Sequence, residues 1–285
     1  NPAPMIRTPH ILTLIALLWF ALPATVNAQS LGFSRGGDGP IQIEADDGIE
    51  WQRANQLYVA RGNARARQGS VTVEGDELIA FYRPNAAGEN EIYRIDANGN
   101  VRIISENEVA QSDKAVYDID EGVLVMTGDN IQLDTAEDTI TARDSLEYYE
   151  TKQYAIARGD ALAVRGDRRV RADVLTAHFG DGIQQATMKR IDALGNVLVS
   201  TPTDIVRAEK GDYNPASGIA TVTGSVKITR GDTQLNGERA EVNLESGESR
   251  LLSSPSGERV RGLFLPKAKT GSNPSTSNPG STGNQ

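Results

Sequence analysis

Beyond residue 40 the chain alternates apolar and polar side chains at a period of two. Val101 and Ile103 flank Arg102, and Val226 and Ile228 flank Lys227. That period places one set of side chains on a buried face and the other in solvent, the signature of a half-buried strand. No stretch beyond residue 28 keeps apolar residues at i, i+3, i+4 and i+7 for three turns, and glycine falls too often for helices. The alternating segments begin on a glycine: Gly62-Asn63-Ala64, Gly99-Asn100-Val101, Gly128-Asp129-Asn130, Gly159-Asp160-Ala161, Gly195-Asn196-Val197 and Gly224-Ser225-Val226. Gly-Asn and Gly-Asp pairs mark bends or bulges where φ is positive or a side chain would clash. The pattern predicts an all-β protein.

The chain also repeats itself. Trp51 to Ala64 returns as Tyr148 to Ala161, 97 residues on, and Ile95 to Val101 returns as Ile191 to Val197, 96 on. A finer unit opens with an acid followed by apolar and aromatic residues, at Asp47, Asp76, Asp113, Asp144, Asp173, Glu209 and Glu238, with spacings of 29, 37, 31, 29, 36 and 29. Fixed-offset self-similarity means stacked units. Seven units, each a pair of strands, predict 14 strands, and flanking pieces such as Ile41 to Glu44 and Val260 to Leu265 raise this to 14–17. Longer connections fall at Arg83 to Glu91 and Gly180 to Gln185, equivalent places in two repeats spanning about 40–140 and 141–245. The expected body is one elongated β-solenoid of antiparallel strands over residues 40–265, in two facing sheets. Seven strand pairs at about 4.8 Å give an axis of roughly 30–35 Å.

The ends differ from this body. Arg7, an apolar run from Ile11 to Leu22 and the small-residue site Val26-Asn27-Ala28 read as an export signal, with Met5 as its start and cleavage after about Ala28. Twelve apolar residues fall short of the roughly 20 needed to cross a bilayer. Residues 29–39 read as a flexible segment. Residues 266–285, rich in Pro, Ser, Gly, Asn and Thr, cannot offset chain entropy and read as a disordered tail. An exported chain without cysteine relies on packing and hydrogen bonds, which suits a bacterial periplasm. The net charge is −9, and −10 once Arg7 is removed with the signal. That balance argues against a nucleic-acid partner, whose phosphates need Lys and Arg.

Catalytic chemistry is sparse. His178 is the one histidine beyond the signal, at an alternate position between Ala177 and Phe179, and reads as an outward strand residue. No His/Cys cluster exists for zinc. The carboxylate groups Asp46-Asp47, Asp118-Asp120-Glu121 and Glu137-Asp138 fall at turns and repeat starts, where solvated or turn-capping roles are expected rather than glycosidase chemistry. Gly36-Gly37-Asp38-Gly39 resembles a calcium-binding repeat but occurs once. The recurring acids recur because the unit recurs. No catalytic residue, metal or cofactor is expected.

Geometry then becomes the candidate for function. The inward face of a two-sheet solenoid is either a dry core or a slot for something long and apolar, and small residues at inner positions (Ala80, Ala115, Ala177, Gly211, Ala240) leave room. Strand parity selects as inward Leu78, Ile103, Tyr117, Leu146, Tyr148, Leu175, Phe179, Val199, Tyr213, Ile228 and Val242. A solenoid that polymerises through its sheet edges without lipid remains an alternative. A β-helix enzyme acting on carbohydrate would need a carboxylate cluster on adjacent rungs.

The segments Ala172-Asp173-Val174-Leu175-Thr176-Ala177, Ala208 to Asn214 and Gly218 to Val226 resemble the recurrent strands of the OstA-like/LptA family of periplasmic lipopolysaccharide transport proteins. The resemblance covers about residues 40–262. It implies a twisted β-jellyroll that shields lipid A acyl chains of lipopolysaccharide in a hydrophobic groove, and so makes the eleven inward residues named above the lipid-binding candidates. It also implies edge-strand pairing to an LptC-like inner-membrane protein and an LptD-like outer-membrane protein, with possible head-to-tail self-association. Such a bridge needs no enzyme chemistry. The length and the Pro/Ser-rich tail depart from compact members of the family.

Overall fold

The computed structural model describes residues 41–180, 187–243, 249–253 and 260–263. The expected signal, the 29–39 segment, the 266–285 tail and the apex of the Gly180 to Gln185 connection lie outside the described residues. Eighteen strands follow in chain order. They are β1 (Gln42–Glu44), β2 (Gly48–Gln52), β3 (Leu57–Gln68), β4 (Val71–Pro84), β5 (Asn90–Ile104) and β6 (Val109–Asp118). Next come β7 (Val123–Thr127), β8 (Ile131–Asp134), β9 (Thr139–Ala142), β10 (Ser145–Tyr149), β11 (Tyr154–Arg165) and β12 (Arg168–Gly180). The last are β13 (Thr187–Ser200), β14 (Asp204–Asn214), β15 (Ile219–Arg230), β16 (Thr233–Asn243), β17 (Ser249–Leu252) and β18 (Arg261–Leu263). Every pairing is antiparallel, and one 3₁₀ turn spans Arg53–Asn55.

Each long strand bends once and so belongs to two ladders. The register breaks between Arg61 and Ala64 in β3, Glu74 and Glu77 in β4, and Asn98 and Val101 in β5, and it breaks in the same way from β11 to β15. At four places the bend splits the strand into two segments: β1/β2, β7/β8, β9/β10 and β17/β18. Fourteen bent strands therefore account for the eighteen segments, two to each sequence unit. One ladder runs from β2 to β17 and the other from β1 to β18, fourteen rows each. Their inward side chains meet in one core, in which Ala66 and Val73 of the second ladder join Leu78 and Ala97 of the first. Fourteen rows at about 4.8 Å extend about 60 Å. That is twice the length expected from sequence, because both strands of a unit pass through both sheets.

The bends explain the recurring acids and glycines. A Cβ at Gly62, Gly99, Gly128, Gly159, Gly195 or Gly224 would strike the carboxylate side chain of Asp47, Asp76, Asp113, Asp144, Asp173 or Glu209 respectively. In six of the seven units the acid thus lies over the glycine of its own second strand. At Gly99 (φ 73°) and Asn100 (φ 48°) two successive left-handed residues turn the strand from one sheet to the other. An L side chain at Gly99 would be strained as well as obstructed. Asn100 then donates from Nδ2 to both Asp76 oxygens, at 3.2 and 2.9 Å, which closes the bend.

Candidate functional site

The ladders place apolar side chains in rows along the body axis. In the second sheet one row passes through all fourteen strands: Ile43, Ala66, Val73, Ile103, Ala110, Leu133, Ile140, Ala163, Val170, Val199, Val206, Ile228, Leu235 and Gly262. In the first sheet a deep row runs from Ile49 and Ala60 through Leu78, Met126, Leu146 and Leu175 to Ala240 and Leu251. Beside it a second row carries the larger rings, from Trp51 and Tyr58 through Tyr117, Tyr148 and Tyr213 to Val242. No charged residue interrupts any of the three.

All eleven sequence candidates lie on this inward face. Leu78, Leu146 and Leu175 are in the deep row, Tyr117, Tyr148, Tyr213 and Val242 in the ring row, and Ile103, Val199 and Ile228 in the facing sheet. Phe179 stands just beyond the ring row, edge-on to Tyr148 with ring centroids 6.5 Å apart, and its N–H donates to Gln153 O at 2.8 Å. Nine of the eleven are buried, while Tyr148 and Phe179 are half-buried. The small residues alternate with large ones: Ala115, Gly211 and Ala240 occupy the deep row and Ala80 and Ala177 the ring row.

At the β1/β2 end the rows reach the surface. Ile41, Ile43, Ile49, Tyr58, Ala66, Leu78 and Ile92 line a shallow apolar recess that opens to solvent. Ile49 and Trp51 are about half exposed, and among the described residues no further row covers them. Trp51 is held between Tyr58 and the Arg53 guanidinium, and its indole N–H donates to the Tyr82 hydroxyl at 2.8 Å. This aromatic lip was not singled out from the sequence, although Trp51 and Tyr82 stand 97 residues before Tyr148 and Phe179.

Along the rim of the second sheet the inward positions turn polar. Arg230 grips Asp204 through two hydrogen bonds at 2.5 and 2.6 Å, and Arg165 grips Asp138 in the same way. The Asp204 side chain is only 1% exposed. Glu108 occupies the corresponding place near β5, and burial pushes its carboxyl up to about 7. His178 lies on the outer face beside Tyr154, with Nε2 3.0 Å from Asp192. Asp118 caps its turn by accepting from Glu121 N–H, and Asp120 pairs with Arg83. Among the described residues no group of three or more His, Cys, Asp or Glu side chains is arranged to hold a metal ion.

The fold and its interior define a class: an elongated sandwich of bent antiparallel strands enclosing continuous apolar rows. A family model described as LptA/(LptD N-terminal domain) LPS transport protein matches residues 42–154, 139–248 and 205–260. The chain belongs to this family of lipopolysaccharide transport proteins. Among solved structures, the chain is similar to LptH, described as the LptA homologous periplasmic component of the conserved lipopolysaccharide transport device from Pseudomonas aeruginosa. That match has 12% identity and a TM-score of 0.39, over 45% of this chain and 95% of LptH. No curated protein matches the sequence.

Proposed function

We propose that the chain is a non-enzymatic periplasmic carrier that shields the acyl chains of lipid A between its two sheets and bridges the inner and outer membranes. The observation that carries this reading is the set of three apolar rows, two of them unbroken through fourteen strands and the ring row through thirteen. An acyl chain moving along such rows stays out of water, at about 25 cal/mol for each Å² shielded. Because the rows are continuous, one position is energetically like the next, and the chain can slide without chemistry. The export signal expected from the sequence supports a periplasmic location for this carrier.

Among the described residues the terminal strands of both ladders have unpaired edges, normally an aggregation hazard. In this reading they are docking edges for an LptC-like and an LptD-like partner, or for a second copy, by strand addition. The test is a photo-crosslinking residue at Tyr117, Tyr148 or Tyr213, with outward Lys114 and Lys227 as controls. Lipopolysaccharide attached at the tyrosine positions is the expected result. Attachment at Lys114 and Lys227 alone would overturn the groove.

A further inference from the structure

Three hairpin turns of the second sheet share a four-residue design: Ser105 to Glu108, Thr135 to Asp138 and Thr201 to Asp204. In each, the first residue's N–H donates to the last residue's carbonyl, at 2.9, 2.8 and 2.9 Å. The closing acid has the parity of Ala110, Ile140 or Val206, so it points inward. Two of the turns are fully satisfied. The Thr135 and Thr201 hydroxyls accept from the acid's N–H at 2.9 and 3.0 Å. The carboxylates of Asp138 and Asp204 are gripped by Arg165 and Arg230, which stand directly across the ladder.

The third turn lacks both features. The Ser105 hydroxyl has no hydrogen-bond partner, and no hydrogen bond or ion pair reaches the Glu108 carboxylate among the described residues. Ser105 is 9% exposed and Glu108 8%. Val109 pairs with Asp134, and the same register carried one residue further sets Thr135 across from Glu108, where the sister turns have arginine. The cations on the flanking strands are turned elsewhere: Arg102 to Glu74, Arg67 to the Gly69 carbonyl, and Arg165 to Glu137 and Asp138. The other charged groups nearby are Glu106 in the turn itself and Asp134 on β8, which accepts from Gln132 and Thr139. A buried carboxylate without a partner either keeps its proton or takes a cation from outside the chain.

We propose that Ser105 and Glu108 form a receptor for an ammonium group carried by a ligand in the interior, in the place that Arg165 and Arg230 fill at the sister turns. The site adjoins Ile103 and Ala110 of the apolar row, so the ligand class is an amphiphile with a primary amine in its polar part. This rests on the reading that the interior receives acyl chains. Charge-assisted hydrogen bonds at a buried site are strong enough to give about tenfold selectivity.

The test measures binding of dodecylammonium and dodecanol below their aggregation limits, at pH 8.5, to the intact protein and to Glu108→Gln and Thr135→Arg. The expected result is a preference of about tenfold for the ammonium in the unaltered protein, lost in both variants. Unchanged dodecanol binding by Glu108→Gln shows that the variant's interior is intact. A preference that survives Glu108→Gln, or equal binding of both amphiphiles by the unaltered protein, overturns the site and leaves the acyl reading standing. If neither amphiphile binds, ethylammonium is titrated against protein carrying ¹³C-labelled glutamate. A shift of the Glu108 carboxyl signal then keeps the receptor and removes the acyl reading, and its absence removes both.

Discussion

The Asn196 side-chain amide donates two hydrogen bonds to the Asp173 carboxylate, at 3.1 and 2.9 Å, across the bend made by Gly195. Asp76, Gly99 and Asn100 repeat this arrangement in the first half of the chain. The bend lets one strand serve both sheets, and the inward rows depend on it. Asp173→Ala is expected to cost about 1–2 kcal/mol through loss of these bonds. Gly195→Val is expected to cost more, about 2–4 kcal/mol, because it adds a collision with Asp173 to an unfavourable φ of 77°. Urea denaturation of the two variants checks both the sizes and their order.

Glu108 makes stability depend on pH. Its carboxyl is raised from 4.5 to about 7 by burial, so the folded state holds a proton that the unfolded chain releases. Stability therefore falls as pH rises from about 4.5 to about 7 and is level above that. Glu108→Gln is expected to raise stability at pH 8 by up to about 3 kcal/mol and to change it little at pH 4.5. Chemical denaturation at the two pH values measures the difference. An equal effect at both would show that the carboxyl titrates normally.

Arg230 and Asp204 form an ion pair in which the acid is almost wholly buried. Arg230→Met is expected to cost about 3–5 kcal/mol, because the Asp204 charge is left unpaired. Adding Asp204→Asn should recover much of that loss. A thermal-melting series of the single and double variants checks the recovery.

Core packing gives a further expectation. Met126 is fully buried in the deep row at the junction of the two sequence repeats. Met126→Ala is expected to cost about 2–5 kcal/mol. Lys227→Ala, on the outer face of β15, should stay within about 0.5 kcal/mol. Denaturant midpoints compare them.

Much of the fold could be read from period and repeat. Strand parity placed Ile103, Val199 and Ile228 on one inward face because a strand's side chains alternate strictly. The acid-initiated units correspond to the seven hairpins. What could not be read was the continuity of each strand through its bend. Gly195-Asn196 interrupts the alternation, so β13 reads as two short strands rather than one bent strand, and the body came out at half its length. The partnership of Asp173 with Gly195 was hidden for a related reason. The two are 22 residues apart in sequence and meet only once β12 and β13 pair. The Ser105 to Glu108 turn resembles its sisters in sequence, and only the ladder register shows that Thr135 stands where Arg165 and Arg230 stand elsewhere.

The central claim is that acyl chains lie between the sheets. Intermolecular nuclear Overhauser effects test it most directly, from the acyl methylenes of bound lipopolysaccharide to labelled methyl groups. Contacts to the inward methyls of Ile103, Val199 and Ile228, with none to the outward Ile79 and Val116, are the expected result. Lipopolysaccharide bound with contacts to Ile79 and Val116 alone would contradict it.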